Sequence, residues 1–114
     1  MPDNIFLKIA RKEIPATVVF EDDRALAFRD TNPKAPTHIL IIPKKEIERV
    51  SKAAPDDEAL LGHLLLVAAE IARNEGIEKN GYRLVINNGR DAGESVPHLH
   101  VHLLAGRALK WPPG

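Results

Sequence analysis

The sequence predicts an α+β domain built around an antiparallel sheet, and three observations lead there. The chain has 114 residues, about one domain's length, so a single core is expected over 1–114. Its apolar segments run in the order helix, three strands, helix, two strands, which does not fit repeated βαβ units. Short alternating stretches are separated by proline, glycine and aspartate, with no internal repeat, low-complexity tract or linker between them.

Each element has its own signal. "DNIFLKIARKEIP" reads as a short opening helix: Asp3 or Asn4 can cap it, Ile5, Phe6 and Ile9 share a face, and Pro15 is expected to stop it. "TVVFED" and "ALAFRD", flanking Asp22-Asp23-Arg24, read as two strands of a hairpin. "THILIIP" is a third strand, with Pro33 and Pro36 keeping the approach to it extended. "PDDEALLGHLLLVAAEIARNEG" is the clearest helix, opening on proline and acids and ending at Gly76. Its apolar positions (Leu60, Leu61, Leu64–Ala68, Ile71, Ala72) cover more than one sheet-facing stripe, so a second buried face is expected. "YRLVINN" and "HLHVHLL" supply the last two strands, joined by "GRDAGESVP".

Composition narrows the function. Lys plus Arg and Asp plus Glu both number 16, and no basic run offers a track for a nucleic-acid polymer. A small ligand fits better. The chain has no cysteine, which removes disulfides, thiolate metal sites and thiol nucleophiles, and is compatible with a reducing compartment. The longest apolar run, Leu64 to Ala69, is far below a membrane span, and the N-terminus lacks an unbroken apolar stretch, so a cytoplasmic protein without a membrane partner is expected.

Chemistry concentrates in "PHLHVHLLAGR", where three of the chain's five histidines stand at alternate positions. On a strand, His98, His100 and His102 would line one face and Leu99, Val101 and Leu103 the other, neighbouring imidazoles being roughly 7 Å apart at about 3.3 Å of rise per residue. Three readings follow. A metal site would strain three ligands on one flat strand and would need His38 or a carboxylate to complete it. A solvated polar face is the bland alternative. The third takes an imidazole as nucleophile: neutral histidine attacks phosphorus or a carbonyl near pH 7, and flanking histidines can orient it and share protons. The preceding "NNGRDAGES" offers backbone N–H groups, an amide and a hydroxyl of the kind a phosphate needs.

The stretch His98-Leu99-His100-Val101-His102-Leu103-Leu104 resembles the histidine-triad signature of the HIT superfamily. "NIFLKIARKEIPATVVFEDDRALAF", "APTHILIIPKKEI", "VINNGRDAGESVPHLHVHLLAGR" and the final "WPPG" extend the likeness to the Hint branch of nucleotide-binding members over almost the whole chain. The compact length, Ser95 and the Trp-Pro-Pro-Gly end favour Hint over the dinucleoside-polyphosphate hydrolases of the Fhit branch.

The resemblance implies a five-stranded antiparallel sheet with two main helices. It also implies a homodimer whose sheets run on into one another, with the long helix at the contact. The implied activity is hydrolysis of a purine nucleoside phosphoramidate to AMP or GMP and an amine. His100 would attack phosphorus with its Nδ1–H held by a backbone carbonyl, His98 with His38 behind it would share protons, and His102 would contact phosphate oxygen. Asn87 and Ser95 would bind the phosphate, Ser95 near the leaving nitrogen. Ile5, Phe6, Ile9, Ile14 and Phe28 would form the nucleoside pocket, Asp30 would accept from the ribose hydroxyls, and Thr31 and Gly93 would complete the set.

Trp111, in a tail over 108–114, would reach the other subunit's site. No metal or cofactor is implied. Two departures stand out: Glu46 replaces a histidine often found after "IPKK", and Thr31 stands where many relatives carry isoleucine beside the base, so altered base selectivity is expected. His63 takes no role from the resemblance and is expected at the polar surface or a dimer contact.

Overall fold

The computed structural model describes residues 4–114. Helix α1 (Ile5–Ala10) is followed by β1 (Val18–Glu21), β2 (Ala25–Arg29), β3 (Thr37–Pro43), helix α2 (Glu58–Asn74), β4 (Tyr82–Val85) and β5 (Val101–Ala105). Single 3-10 turns occupy Val50–Lys52, Pro55–Asp57 and Arg90–Ala92. The five strands form one sheet in the order β1-β2-β3-β5-β4, every described pairing antiparallel. The strand order is therefore the one expected for an α+β domain rather than for wound βαβ units.

The helices depart from expectation: there is one main helix, not two. α2 has 17 residues, whereas α1 has only 6. α1 ends well before Pro15, because Lys12 turns left-handed at φ 64° and its neighbours close the end: Lys12 N–H donates to Ile9 O and Glu13 N–H to Lys8 O. α2 closes the same way around Gly76 at φ 74°, with Gly76 N–H donating to Arg73 O and Ile77 N–H to Ala72 O. Of the two N-cap candidates for α1, Asn4 caps it, its side chain accepting from Leu7 N–H at 2.6 Å. Asp3 lies outside the described residues.

Strand alternation divides the molecule into two cores. Ala25, Ala27, Ile39, Ile41, Val101 and Leu103 pack with Leu99, Leu64, Val67, Ala68 and Ile71 of the α2 side. Leu26, Phe28, Leu40 and Ile42 pack on the other face with Phe6 and Ile9 of α1. Leu26, Ile39, Ile41, Ile42 and Leu103 are fully buried, each stabilising the fold by roughly 1.5–3 kcal/mol. The wide apolar face of α2 is only partly used within the chain, since Leu64, Val67, Ala68, Ile71 and Ala72 are buried while Leu65 and Leu66 are exposed. His63 bridges elements: its Nε2 donates to Asp22 Oδ2 at 2.6 Å, tying the β1–β2 turn to α2.

β5 also starts later than the sequence suggests. His102 is in the strand, but His98 and His100 precede it. The β3–β5 ladder runs from Thr37↔Ala105 to Ile41↔Val101 and ends near Pro43, which has no N–H to continue it. Leu99 N–H instead donates to Ile47 O at 2.7 Å. The in-and-out alternation survives, because Leu99, Val101 and Leu103 all enter the α2-side core.

Candidate active site

The face of the sheet that carries α1 also carries the histidines. His38 on β3 and His102 on β5 come together across the pairing Leu40↔His102, and Phe6 of α1 meets His100 edge-on with ring centroids 4.9 Å apart. His100 in turn meets His102 at 4.9 Å between centroids.

Hydrogen bonds to groups of fixed polarity settle which nitrogen of each ring carries a proton. His100 Nδ1 lies 2.6 Å from His98 O; a carbonyl only accepts, so Nδ1 is protonated, and in the neutral ring Nε2 keeps the lone pair. Nε2 makes no hydrogen bond among the described residues, and no buried side-chain nitrogen or oxygen there lacks a partner, so Nε2 reaches the accessible surface of an otherwise buried ring. His98 is fully buried and spends both nitrogens: Nε2 donates to Pro43 O at 2.9 Å, and Nδ1 accepts from the Asn4 amide at 3.3 Å. What His98 offers His100 is its carbonyl rather than its ring.

His38 was expected behind His98, and the structure places it elsewhere. Its Nδ1 accepts from Lys34 N–H at 3.0 Å, so Nε2 bears the proton and donates to His102 Nδ1 at 2.9 Å. Neutral His102 then carries its remaining proton on Nε2. Burial is the main reason that His38 and His98 titrate below the ordinary 6.5. His102 is pushed down to about 4 by burial and then by the neighbouring His100 and His38. His38, His98 and His102 therefore stay neutral and keep their proton order at physiological pH.

Two adjoining pockets open on this face. One, of about 330 Å³, is largely apolar and is lined by Ile5, Phe6, Ile9, Ile14, Phe28 and Thr31, together with Asp30 and Ser95. The other, of about 380 Å³, is lined by His38, His102, Asn87, Gly93 and Lys34, again with Asp30 and Ser95. Asp30 and Ser95 thus stand at the junction. Asp30 Oδ1 accepts from Asn32 N–H at 2.8 Å, and its Oδ2 lies 3.5 Å from His38 Nε2. His98, His100 and Trp111 line neither pocket: His98 is fully buried, His100 stands beside them against Phe6 and His102, and Trp111 is exposed, with the Arg83 guanidinium 5.9 Å from its ring centre.

Asp30, His38 and His102 have ligand atoms within 4.8 Å of one another, the one group of described residues spaced to hold a metal ion. The polarity of His38 works against such a role. A metal on Nε2 would shift the proton to Nδ1, where it would face the donating Lys34 N–H. The three residues fit a hydrogen-bonded chain better than a ligand set.

Sequence reasoning missed Lys34, Val85 and Leu104 in one pocket and Pro15, Ala16, Arg29, Leu40 and Val96 in the other. Lys34 gave no signal, since its contribution to His38 is a backbone N–H. Val85 is placed by its pairing with His102 across the β4–β5 ladder, which local pattern does not show.

The HIT domain model matches residues 11–109. A HIT-like protein of Synechocystis sp., described as uncharacterized, is 58% identical over 98% of this chain and 97% of its own length. A HIT family hydrolase from Legionella pneumophila superimposes with a TM-score of 0.96 at 53% identity, covering 98% of this chain and 100% of that one. A histidine triad nucleotide-binding protein from Candida albicans gives a TM-score of 0.82 at 33% identity, covering 96% and 83%. With the triad leading into the last strand of a five-stranded antiparallel sheet and the family match spanning most of its length, this chain belongs to the HIT domain family.

Proposed function

We propose that the protein is a Hint-type hydrolase that cleaves purine nucleoside phosphoramidates to AMP or GMP and an amine through a nucleotidyl-His100 intermediate. The observation that carries this reading is the 2.6 Å contact of His100 Nδ1 with His98 O, which leaves a surface-reaching lone pair on Nε2. In the first step Nε2 attacks phosphorus, a nitrogen–phosphorus bond forms, and the substrate's own phosphorus–nitrogen bond breaks. The departing amine takes up a proton that the Ser95 hydroxyl relays from solvent. In the second step water attacks phosphorus, the bond to His100 breaks with its electron pair returning to Nε2, and the water's surplus proton passes to solvent. Splitting one displacement into two lowers the barrier of each.

The pockets support a matching substrate pose. The base takes the apolar pocket of Ile5, Phe6, Ile9, Ile14 and Phe28 beside Thr31, and the ribose hydroxyls take Asp30. The phosphate takes Asn87, Gly93, Ser95 and the Nε2–H of His102. In this reading His98 and His38 act by holding the rings that touch substrate. A homodimer, with Leu65 and Leu66 of α2 in its contact and Trp111 reaching the second site, belongs to the same proposal. So does a cytoplasmic location, which the absence of cysteine suits.

Intact mass spectrometry after quenching with a slow adenosine phosphoramidate tests the chemistry. An adenylyl adduct mapped to His100, and its loss in His100→Ala together with turnover, is expected. Undiminished turnover in His100→Ala would overturn the mechanism. Faster cleavage of diadenosine polyphosphate than of phosphoramidate would move the protein to the Fhit-type reaction, and AMP binding without amine release would make it a binding module.

A further inference from the structure

The loop that joins β4 to β5 carries Gly93 and Ser95 into the site, yet its own backbone is poorly suited to holding still. Gly89 and Gly93 both have positive φ, 93° and 83°, around the single turn Arg90–Ala92. Glycines in such conformations lose the most freedom on ordering, so the loop needs restraint from outside.

That restraint comes from residues 47–51, the segment leaving β3 toward α2, and it acts at three points along the loop. Ser51 N–H donates to Asn88 Oδ1 at 2.9 Å at the loop's start. Leu99 N–H donates to Ile47 O at 2.7 Å at its end, between His98 and His100. Between these, the Arg49 guanidinium grips Glu94 with two bonds, Nε to Oε1 at 2.8 Å and a terminal nitrogen to Oε2 at 2.9 Å. Glu94 passes the restraint on, since Gly89 N–H donates to its Oε1 at 2.9 Å and its own N–H donates to Gly89 O at 3.1 Å.

A two-point guanidinium–carboxylate pair fixes orientation as well as distance, which a single-point lysine contact would not. The Glu94 carboxyl is held down to about 2, chiefly by the Arg49 bond, so the pair stays charged through the working pH range. Glu94 directly precedes Ser95, and neither Glu94 nor Arg49 lines either pocket.

We propose that Arg49 and Glu94 are positioning residues of this site, acting through Ser95: their ion pair sets the 89–95 loop so that Ser95 meets the leaving group. The proposal rests on the hydrolase reading for its kinetic consequence but not for its structural one.

The test is a double-mutant cycle in the full-length protein, read on an alkylamine adenosine phosphoramidate. Glu94→Gln and Arg49→Met should each lower kcat about tenfold or more with KM within about threefold, and the double variant should be no worse than either single. In a Ser95→Ala background, Glu94→Gln should add no further loss. Arg49→Lys keeps the charge without the fork, and should lower kcat while leaving the melting temperature in place, which separates misplacement from misfolding. Full kcat in Glu94→Gln, or losses that multiply with Ser95→Ala, would overturn the proposal.

Amide hydrogen exchange over residues 89–95 needs no substrate. It should rise about tenfold in Glu94→Gln, and unchanged protection would overturn the brace whatever the activity. Raised exchange in a protein whose wild type cleaves no phosphoramidate would leave the brace standing and remove the hydrolase reading instead.

Discussion

His38 Nε2 donates to His102 Nδ1 at 2.9 Å, across two strands whose residues are 64 positions apart in the chain. Because Lys34 N–H caps the far nitrogen of His38, the whole relay has one direction: backbone amide to His38, His38 to His102, and His102 Nε2–H outward to the pocket. Removing the middle member should let His102 take either tautomer. His38→Ala is expected to lower kcat roughly ten- to hundredfold, with nucleotide affinity less affected. Steady-state kinetics beside calorimetric AMP titration check this, and a wild-type rate would show that the relay is idle.

The same polarity bears on metals. With Nδ1 of His38 already accepting, the Asp30, His38 and His102 group should hold zinc only weakly. Zinc titration of the apo protein by calorimetry is expected to show no site tighter than about micromolar, and turnover should be equal before and after chelator treatment. A tight stoichiometric site lost in His38→Ala would contradict the hydrogen-bonded assignment.

Stability should fall with acid earlier than carboxylates alone would cause. His38, His98 and His102 all titrate below the ordinary 6.5 in the folded state, His102 at about 4, so they bind fewer protons folded than unfolded as pH drops. Their contribution is whole above about 6.5 and is lost progressively below it, for His102 down to about 4. The lowered carboxylates of Glu94, Asp22 and Asp57 lose theirs only as pH falls below their unfolded values, near 4. Melting temperatures at pH 7.5 and 5.5 should differ clearly in the wild type and less in His102→Asn. An equal drop in both would assign the loss elsewhere.

Gly106 follows β5 at φ 99°, and a Cβ there would stand 2.7 Å from Pro36 Cβ. Gly106→Ala therefore combines backbone strain with a clash and is expected to cost about 2–3 kcal/mol in denaturant unfolding. Pro36 belongs to the turn that presents Lys34 N–H to His38, so kcat should fall as well. An unchanged unfolding midpoint would show that the turn yields freely.

Much of the architecture is legible from local pattern, because strands such as "THILIIP" declare themselves by composition and bounding prolines, and β3 occupies those seven residues, Thr37–Pro43. Alternation in "HLHVHLL" likewise separates buried Leu99, Val101 and Leu103 from the histidine side. Distant pairings are not legible this way. His38 meets His102 only through the β3–β5 register, and Arg49 meets Glu94 only because the exit from β3 crosses the last loop. The end of α1 was hidden for a different reason: the helix closes on a left-handed lysine, where the usual signal is glycine or proline.

The single residue-by-residue alternation through 99–105 also sets what kinds of genetic change this segment can survive. Substituting one buried aliphatic for another perturbs one contact on the α2 side and leaves the opposite surface untouched. Inserting or deleting one residue there would exchange the two surfaces at once, driving imidazoles into hydrocarbon and aliphatic chains into the ligand cleft. Length changes should thus be eliminated between Leu99 and Ala105.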